Sequence, residues 1–328
     1  MPTEAHVSTL QTCKPYAINV IIENQVERPI KNTVIMSELT EKERRAIKIL
    51  RMYRGDDPIE VSYSGGKDSD VILALTKMAG IPYRAIYKNT TIDPPGTVQH
   101  CKDNGVEVVM PKERFFDLIV ANGFPNRFAR YCCRVLKEYK VLDNAIQGIR
   151  TAESTKRAAR YKDYTQIDDT MLFPEEVAAL QTKEPIVCRN YSKSDHVNIY
   201  LPILDWSDKD VSNFINAHGI ECHPLYYQSG AFNVKCRVGC IGCPQASDNG
   251  IANFKQYPKI AKQWIKAAQR FLDTHPDTIT ARRFKDGYQY FVAHLFDSLE
   301  TFEAVTHASI FGKEDWKQRL EDFFKIEL

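Results

Sequence analysis

The stretch Ser64-Gly65-Gly66-Lys67-Asp68-Ser69 constrains this chain more than any other. Before it, Pro58-Ile59-Glu60-Val61-Ser62-Tyr63 is short and apolar enough to form a buried parallel strand. After it, Val71 to Met78 reads as a helix that Gly80 ends. A strand, a Gly-Gly turn and a helix start make an anion site. The glycines let the backbone approach an oxygen closely, and the unpaired N–H groups of the first helical turn point at it. Lys67 adds a charge, and Ser64 and Ser69 add hydroxyl donors.

A lone Gly-Gly pair reads as an ordinary strand-to-helix turn, but this six-residue string directly behind a hydrophobic strand says more. It is not of the Walker type, since no four-residue gap separates the glycines and Asp68 follows Lys67. The string resembles the PP-loop of the ATP pyrophosphatase superfamily, whose members cut ATP between the α and β phosphates, adenylate an acceptor and release pyrophosphate. That resemblance implies ATP held by Ser64, Gly65, Gly66, Lys67, Asp68 and Ser69, with Mg²⁺ on the pyrophosphate.

At 328 residues, 43% hydrophobic and 26% charged with a net charge of +2, the composition is that of a soluble globular protein of one large or two smaller domains. Any nucleic-acid surface must therefore be local. No apolar run approaches a membrane span, and Met1 to Val26 lacks a signal pattern, so a cytoplasmic protein is expected. Residues 1–55 read as an N-terminal extension and helix, 56–250 as the loop-bearing domain with its cysteines, and 251–328 as a helical C-terminal region.

Along the chain, Tyr16 to Ile22 is β-like, and Thr40-Glu41-Lys42-Glu43 fits a capping box opening a helix to about Tyr53. Tyr83 to Tyr87 and Val106 to Met110 read as further strands, with a helix from Arg114 to Ala121. This alternation implies a doubly wound, mostly parallel α/β sheet. The polar loop Asn89 to Pro95 then lies at the carboxyl end of a strand, where ligands bind. Asp93 there is a candidate for Mg²⁺ or ribose, or simply a capping residue. A fourth strand is expected over Ala145 to Arg150, running into Thr151 to Arg157. Arg150 and Arg157 suit phosphate or sulfate oxygens, a solvated basic face being the plainer reading. Residues 158–198 read as polar and irregular, a mobile region able to act as a lid. Tyr200 to Val211 reads as a strand end and then a capped helix, which runs to about Gly219. His218 and His223 are weak ligand candidates. Beyond Ile251 the chain reads as helical. Lys255, Lys259, Lys262, Lys266 and Arg270 share one helix face, either a phosphate-backbone surface or a solvated one.

Nine cysteines are many for a reducing compartment, where clusters mean metal or redox chemistry. Cys13, Cys101, Cys188 and Cys222 are scattered and read as small buried hydrophobes. Cys132-Cys133 lies among cations, which favours thiolates. Cys236-Arg237-Val238-Gly239-Cys240-Ile241-Gly242-Cys243 aims three thiols at one centre. Zinc or an iron–sulfur cluster fits the five clustered thiols equally by spacing.

Four segments together resemble the phosphoadenosine phosphosulfate (PAPS) reductase-like branch of the PP-loop superfamily: Ser64–Ser69, Cys132-Cys133 with Leu136-Lys137, Gly148–Arg157 and Pro202–Tyr226. The resemblance spans about residues 58 to 244. The paired cysteines and Cys240-x-x-Cys243 are similar to the four ligands of the [4Fe–4S] cluster in adenylyl-sulfate reductases, which implies Cys132, Cys133, Cys240 and Cys243 as ligands. Cys236 is then an extra thiol that replaces one of them or carries sulfur. Two departures point away from reduction. The reductases' C-terminal cysteine tail is missing, and the plain Ser-Gly-Gly-x-Asp-Ser loop, which reductases typically lose, is kept. The resemblance therefore implies an ATP pyrophosphatase of the sulfur-transfer type found in DNA phosphorothioation. Lys67, Asp68, Arg150 and Arg157 would be catalytic, a cysteine desulfurase a fitting sulfur donor, and DNA or tRNA a fitting acceptor. Sulfonucleotide reduction and a non-catalytic nucleotide- or DNA-binding subunit are the alternatives, and homo-oligomerisation stays open.

Overall fold

The computed structural model describes residues 39–164, 185–190, 196–246, 248, 250–296, 299–306 and 315–328. Among them six strands form one sheet: β1 (Ile59–Tyr63), β2 (Tyr83–Lys88), β3 (Glu107–Val109), β4 (Asn144–Ile146), β5 (Ile186–Asn190) and β6 (His196–Tyr200). Their order is β3-β2-β1-β4-β6-β5. All neighbours run parallel except β5, which pairs antiparallel with β6 at the edge. The chain winds outward from β1 to β3, then resumes on the other side of β1 with β4. The switch between β1 and β4 leaves a crevice at the carboxyl ends of the strands, where open α/β sheets bind ligands.

Local chemistry sets each element around this crevice. Helix α1 (Glu41–Leu50) starts at Thr40, whose hydroxyl accepts from the Glu43 N–H while the Glu43 carboxylate accepts from Thr40 N–H, the expected capping box. Helix α2 (Lys67–Ala79) starts at Gly66 and stops at Gly80, which takes the left-handed conformation that leaves no Cβ penalty. Ile59, Val61 and Tyr63 alternate onto one face of β1. They pack there with α1, α2, α3 (Thr97–Asp103) and α7 (Asp208–Ala217) through Ile47, Leu75, Cys101 and Phe214.

A second core joins α4 (Phe115–Asn122) to the C-terminal helices α9 (Pro258–Thr274), α11 (Gly287–Phe296) and α13 (Trp316–Phe324). Phe115, Leu118, Ile119, Trp264, Phe291 and Leu320 fill it. Each such large side chain taken fully out of water contributes about 1.5–3 kcal/mol before conformational entropy is counted. The doubly wound sheet and the helical C-terminal region follow the sequence reading.

Three local readings need correction. The fourth strand ends at Ile146 rather than Arg150, because Gly148 passes against the Asp68 carbonyl of α2 and Arg150 turns inward. Residues 158–198 are not wholly irregular: β5 lies inside that range and β6 begins in it, with Val197 and Ile199 buried in alternation with exposed His196 and Asn198. Lys255 does not share a helix with Lys259, since Pro258 ends α8 (Ile251–Gln256) and opens α9. Of the region 158–198 read as a lid, residues 165–184 and 191–195 lie outside the described residues, as does the β-like stretch at 16–22.

Candidate functional site

The Ser64–Ser69 loop sits at the carboxyl end of β1, beside β2 and β4. Gly65 has φ of +74°, the left-handed region, and a Cβ there would stand 2.8 Å from Thr97 Cγ2. Only glycine makes this turn without strain. Gly66 has no side chain to cap the start of α2, and the positive end of this thirteen-residue helix lies at the crevice. The Lys67 N–H donates to Tyr226 Oη at 3.0 Å. The buried Lys67 ammonium lies 3.3 Å from Asp68 Oδ2, and the Ser69 hydroxyl donates to the Gly66 carbonyl at 2.6 Å.

Arg150 is inside the protein, 1% exposed. Its Nε donates to Asp68 Oδ1 at 2.7 Å and its Nη2 to Asp208 Oδ1 at 3.0 Å. It acts as a strut that holds Asp68 against the loop. Arg157, on the short helix α6 (Thr155–Arg160), is ion-paired with Glu153 and half-buried, near enough to Asp68 and Arg150 to feel their charges. Burial lowers its pKa first, and the like charge of Arg237 lowers it further. Lys235 reaches Asp208 at 2.6 Å, and that hydrogen bond holds the Asp208 carboxyl below its ordinary range with help from Arg150.

Beside the loop is a polar cavity of about 210 Å³, lined by Ser62 and Ser64 of β1, Lys88 of β2, Gln147 and Lys137. Its floor carries a buried ion pair, Lys88 Nζ to Glu60 Oε1 at 3.1 Å. Sequence reasoning missed this pair. The available signal was a glutamate in the middle of a strand otherwise read as buried.

The structure brings four of the five clustered cysteines together. Cys132 and Cys133, from α5 (Tyr131–Leu136), face Cys240 and Cys243 across one cavity walled by Phe115 and Trp264. Cys236 is not among them; it packs with Val238 against the core on the nucleotide side of the sheet. The Cys132 thiol donates to Cys133, which holds Cys133 below the ordinary thiol range; Arg130 adds to this against the cost of burial. The same hydrogen bond, with burial, raises Cys132. Burial pushes Cys240 up to about 12, against the pull of Lys137. Among the described residues no three His, Cys, Asp or Glu side chains stand as a closed set of metal ligands. In donor chemistry the cavity suits a thiolate-bound centre: four cysteines line it, and the Trp264 indole N–H in the wall is buried without a partner, as suits a sulfur acceptor.

Asp93 faces the cysteines. It accepts from Tyr87 Oη at 2.5 Å and Thr90 Oγ1 at 2.7 Å, and pairs with Lys137 at 3.8 Å. Burial works against its charge, yet Lys137 and these hydrogen bonds hold its carboxyl below the usual range. Burial alone would lower the Lys137 ammonium, but Cys240 and Asp93 hold it above its ordinary value. Lys137 lines both cavities and so links the cysteine side to the nucleotide side. Of the other readings, Cys101 and Cys222 are buried while Cys188 is exposed, since it lies on the edge strand β5, and Cys13 is outside the described residues. His223 packs against Thr97, and His218 pairs with Glu43 at 3.0 Å.

A parallel sheet with a strand, a Gly-Gly turn and an uncapped helix at its switch point defines a nucleotide-binding α/β protein. Residues 58–246 match the phosphoadenosine phosphosulfate reductase domain, and the chain belongs to that family, in the PAPS reductase-like branch of the PP-loop superfamily. Curated relatives include an uncharacterized protein of Methanocaldococcus jannaschii, 23% identical over 240 residues, covering 70% of this chain and 53% of that protein. Another is an uncharacterized 37.8 kDa protein of Escherichia phage 186, 28% identical over 170 residues, covering 47% of this chain and 42% of the relative. The chain spans about half the length of the curated relatives it matches. Among solved structures, the PAPS reductase of Candida auris is similar over 63% of this chain and 91% of its own, at 12% identity and a TM-score of 0.39. The FMN adenylyltransferase of Candida glabrata is similar over 66% of each chain, at 13% identity and a TM-score of 0.34. Among the described residues no helix is long and apolar enough to cross a membrane.

Proposed function

We propose that this protein is an ATP pyrophosphatase that adenylates an acceptor for sulfur transfer. The observation that supports the proposal is the intact Ser64–Ser69 loop at the carboxyl end of β1, with the start of α2 and the buried Lys67 directly behind its glycines. An anion site of this build suits a pyrophosphate. ATP enters as its Mg²⁺ complex. The loop N–H groups and Lys67 take the β and γ phosphates, Arg157 offsets their charge, and Arg150 keeps Asp68 in register. An acceptor oxygen then attacks the α phosphorus, the α–β bridge breaks, and pyrophosphate leaves with the charge the loop is built to hold. A sulfur nucleophile, such as a persulfide raised by a cysteine desulfurase, displaces AMP from the adenylated acceptor. Rate enhancement in this scheme comes from positioning and fixed charge rather than from a covalent enzyme intermediate.

Cys132, Cys133, Cys240 and Cys243 are the proposed holders of a [4Fe–4S] cluster, with Zn²⁺ as the alternative. A bound cluster would supply a redox- or sulfur-active centre about which Lys137 and Trp264 are already arranged. Asp93 is proposed to orient Lys137 rather than to bind the nucleotide. DNA or tRNA is the proposed acceptor, and a cytoplasmic location belongs to the same proposal. Residues 251–328 are proposed as an addition to the family domain, since the match ends at residue 246 while Trp264 of α9 walls the cysteine cavity.

A thermal-shift comparison of anaerobic protein with Mg-ATP, adenylyl sulfate and PAPS tests the choice of nucleotide. Ligand at about 100 times its dissociation constant stabilises the folded state by about 2.7 kcal/mol. Stabilisation by ATP alone is expected. Stabilisation by the sulfonucleotides alone would replace the proposal with sulfonucleotide reduction.

A further inference from the structure

We propose that Arg237 is a phosphate-binding residue of the nucleotide site, and that with Arg157 it grips the terminal phosphates of the bound triphosphate. This deepens the ATP reading and rests on it. The segment that carries Arg237 crosses the Gly-Gly loop. Val238 Cγ1 lies 4.0 Å from the position a Cβ on Gly65 would take, and the Val238 carbonyl lies 4.0 Å from the equivalent point on Gly66. The neighbouring residue in the chain is therefore within side-chain reach of whatever the loop holds.

Four of the cations around the loop have carboxylate partners: Lys67 pairs with Asp68, Arg150 with Asp68 and Asp208, Arg157 with Glu153, and Lys235 with Asp208. Asp70 in the same helical turn is engaged by Tyr63 and His100. Arg237 is exposed and has no carboxylate partner among the described residues. It is also the charged neighbour that acts most strongly on the half-buried Arg157. Arg157 keeps Glu153 as its partner while Arg237 has none, and the repulsion between these two like charges is relieved when they share an anion. The planar fork of arginine suits phosphate oxygens bidentately, and a terminal diphosphate offers enough of them for both. Arg237 lies between Cys236 and Cys240, so phosphate binding would pull on the same segment that brings Cys240 and Cys243 to the cysteine cavity.

The experiment compares full-length wild type, Arg237→Gln and Arg237→Lys by calorimetric binding of Mg-ATP, inorganic pyrophosphate and AMP. Arg237→Gln should weaken ATP and pyrophosphate about tenfold or more, the size of one charge-assisted contact, with AMP changed less than about twofold. Arg237→Lys should fall between, because a point charge keeps attraction and loses the fork. Wild-type affinity for ATP in Arg237→Gln would overturn the assignment, as would an equal loss for AMP, which would place the effect away from the terminal phosphates. If the wild type itself binds neither ATP nor pyrophosphate, the ATP reading fails and the assignment falls with it. Because Arg237 is exposed, an unchanged melting temperature without ligand is the control for folding.

Discussion

Arg150 Nε donates to Asp68 Oδ1 at 2.7 Å, joining the chain beyond β4 to the first turn of α2 across 82 residues of sequence. With Asp208 on its other edge, the guanidinium fixes Asp68 of the loop from within, while Arg157 is half-buried and pairs with Glu153. Arg150 and Arg157, which the sequence reading gave one phosphate-binding role, therefore stand in different surroundings.

Replacing Arg150 by methionine removes the cation that Asp68 and Asp208 share, leaving Asp68 to Lys67 and Asp208 to the exposed Lys235. Removing one partner of a buried pair typically costs about 3–5 kcal/mol, and the partly exposed carboxylates reduce this to about 2–3 kcal/mol. Urea unfolding should show that loss. A loss below about 0.5 kcal/mol would mean that Arg150 is no strut.

Gly148 has a comparable role without a side chain. A Cβ there would stand 2.8 Å from the Asp68 carbonyl oxygen, a backbone atom that cannot swing aside. Gly148→Ala should push the first turn of α2 off β4 and weaken Mg-ATP binding about tenfold or more. Wild-type affinity in this variant would show that the loop tolerates displacement.

Metal analysis separates the five clustered cysteines. Cys132→Ser, Cys133→Ser, Cys240→Ser and Cys243→Ser should each lose bound iron or zinc, and Cys236→Ser should keep the wild-type content. Metal lost from Cys236→Ser and kept in one of the other four would move the centre toward the nucleotide loop.

His294 supplies a pH dependence. It stacks on Trp264 with ring centroids 5.6 Å apart, its Nε2 is buried without a partner, and burial lowers its pKa from 6.5 to about 4. Between those values the unfolded chain takes up a proton that the folded chain refuses. Stability therefore falls as pH falls through that window, by about 3 kcal/mol at its lower end. His294→Phe keeps the stack and should flatten the profile by that amount. An unchanged slope would assign the acid sensitivity elsewhere.

Much of this was legible in the sequence because local chemistry decides it. The Thr40 capping box, Gly80 and the Ser64–Ser69 turn each need only a few neighbouring residues to be read. The pairing of Cys132 and Cys133 with Cys240 and Cys243 came from a family resemblance, and their common cavity depends on α9, which carries no cysteine. What stayed hidden is long-range. Neither the Glu60–Lys88 pair nor the turn of Asp93 toward Lys137 can be read from spacing, since each partner comes from another strand or loop. The β5–β6 hairpin was missed because its inward positions are few and its edge strand carries the polar Cys188-Arg189-Asn190.

The central claim is that this protein cuts ATP between its α and β phosphates. Anaerobic protein incubated with Mg-ATP and candidate DNA or tRNA acceptors, with products followed by phosphorus NMR, tests it directly. AMP and pyrophosphate in equal amounts, abolished in Lys67→Ala, are the predicted result. ADP with inorganic phosphate, or AMP and pyrophosphate undiminished in Lys67→Ala, would contradict it.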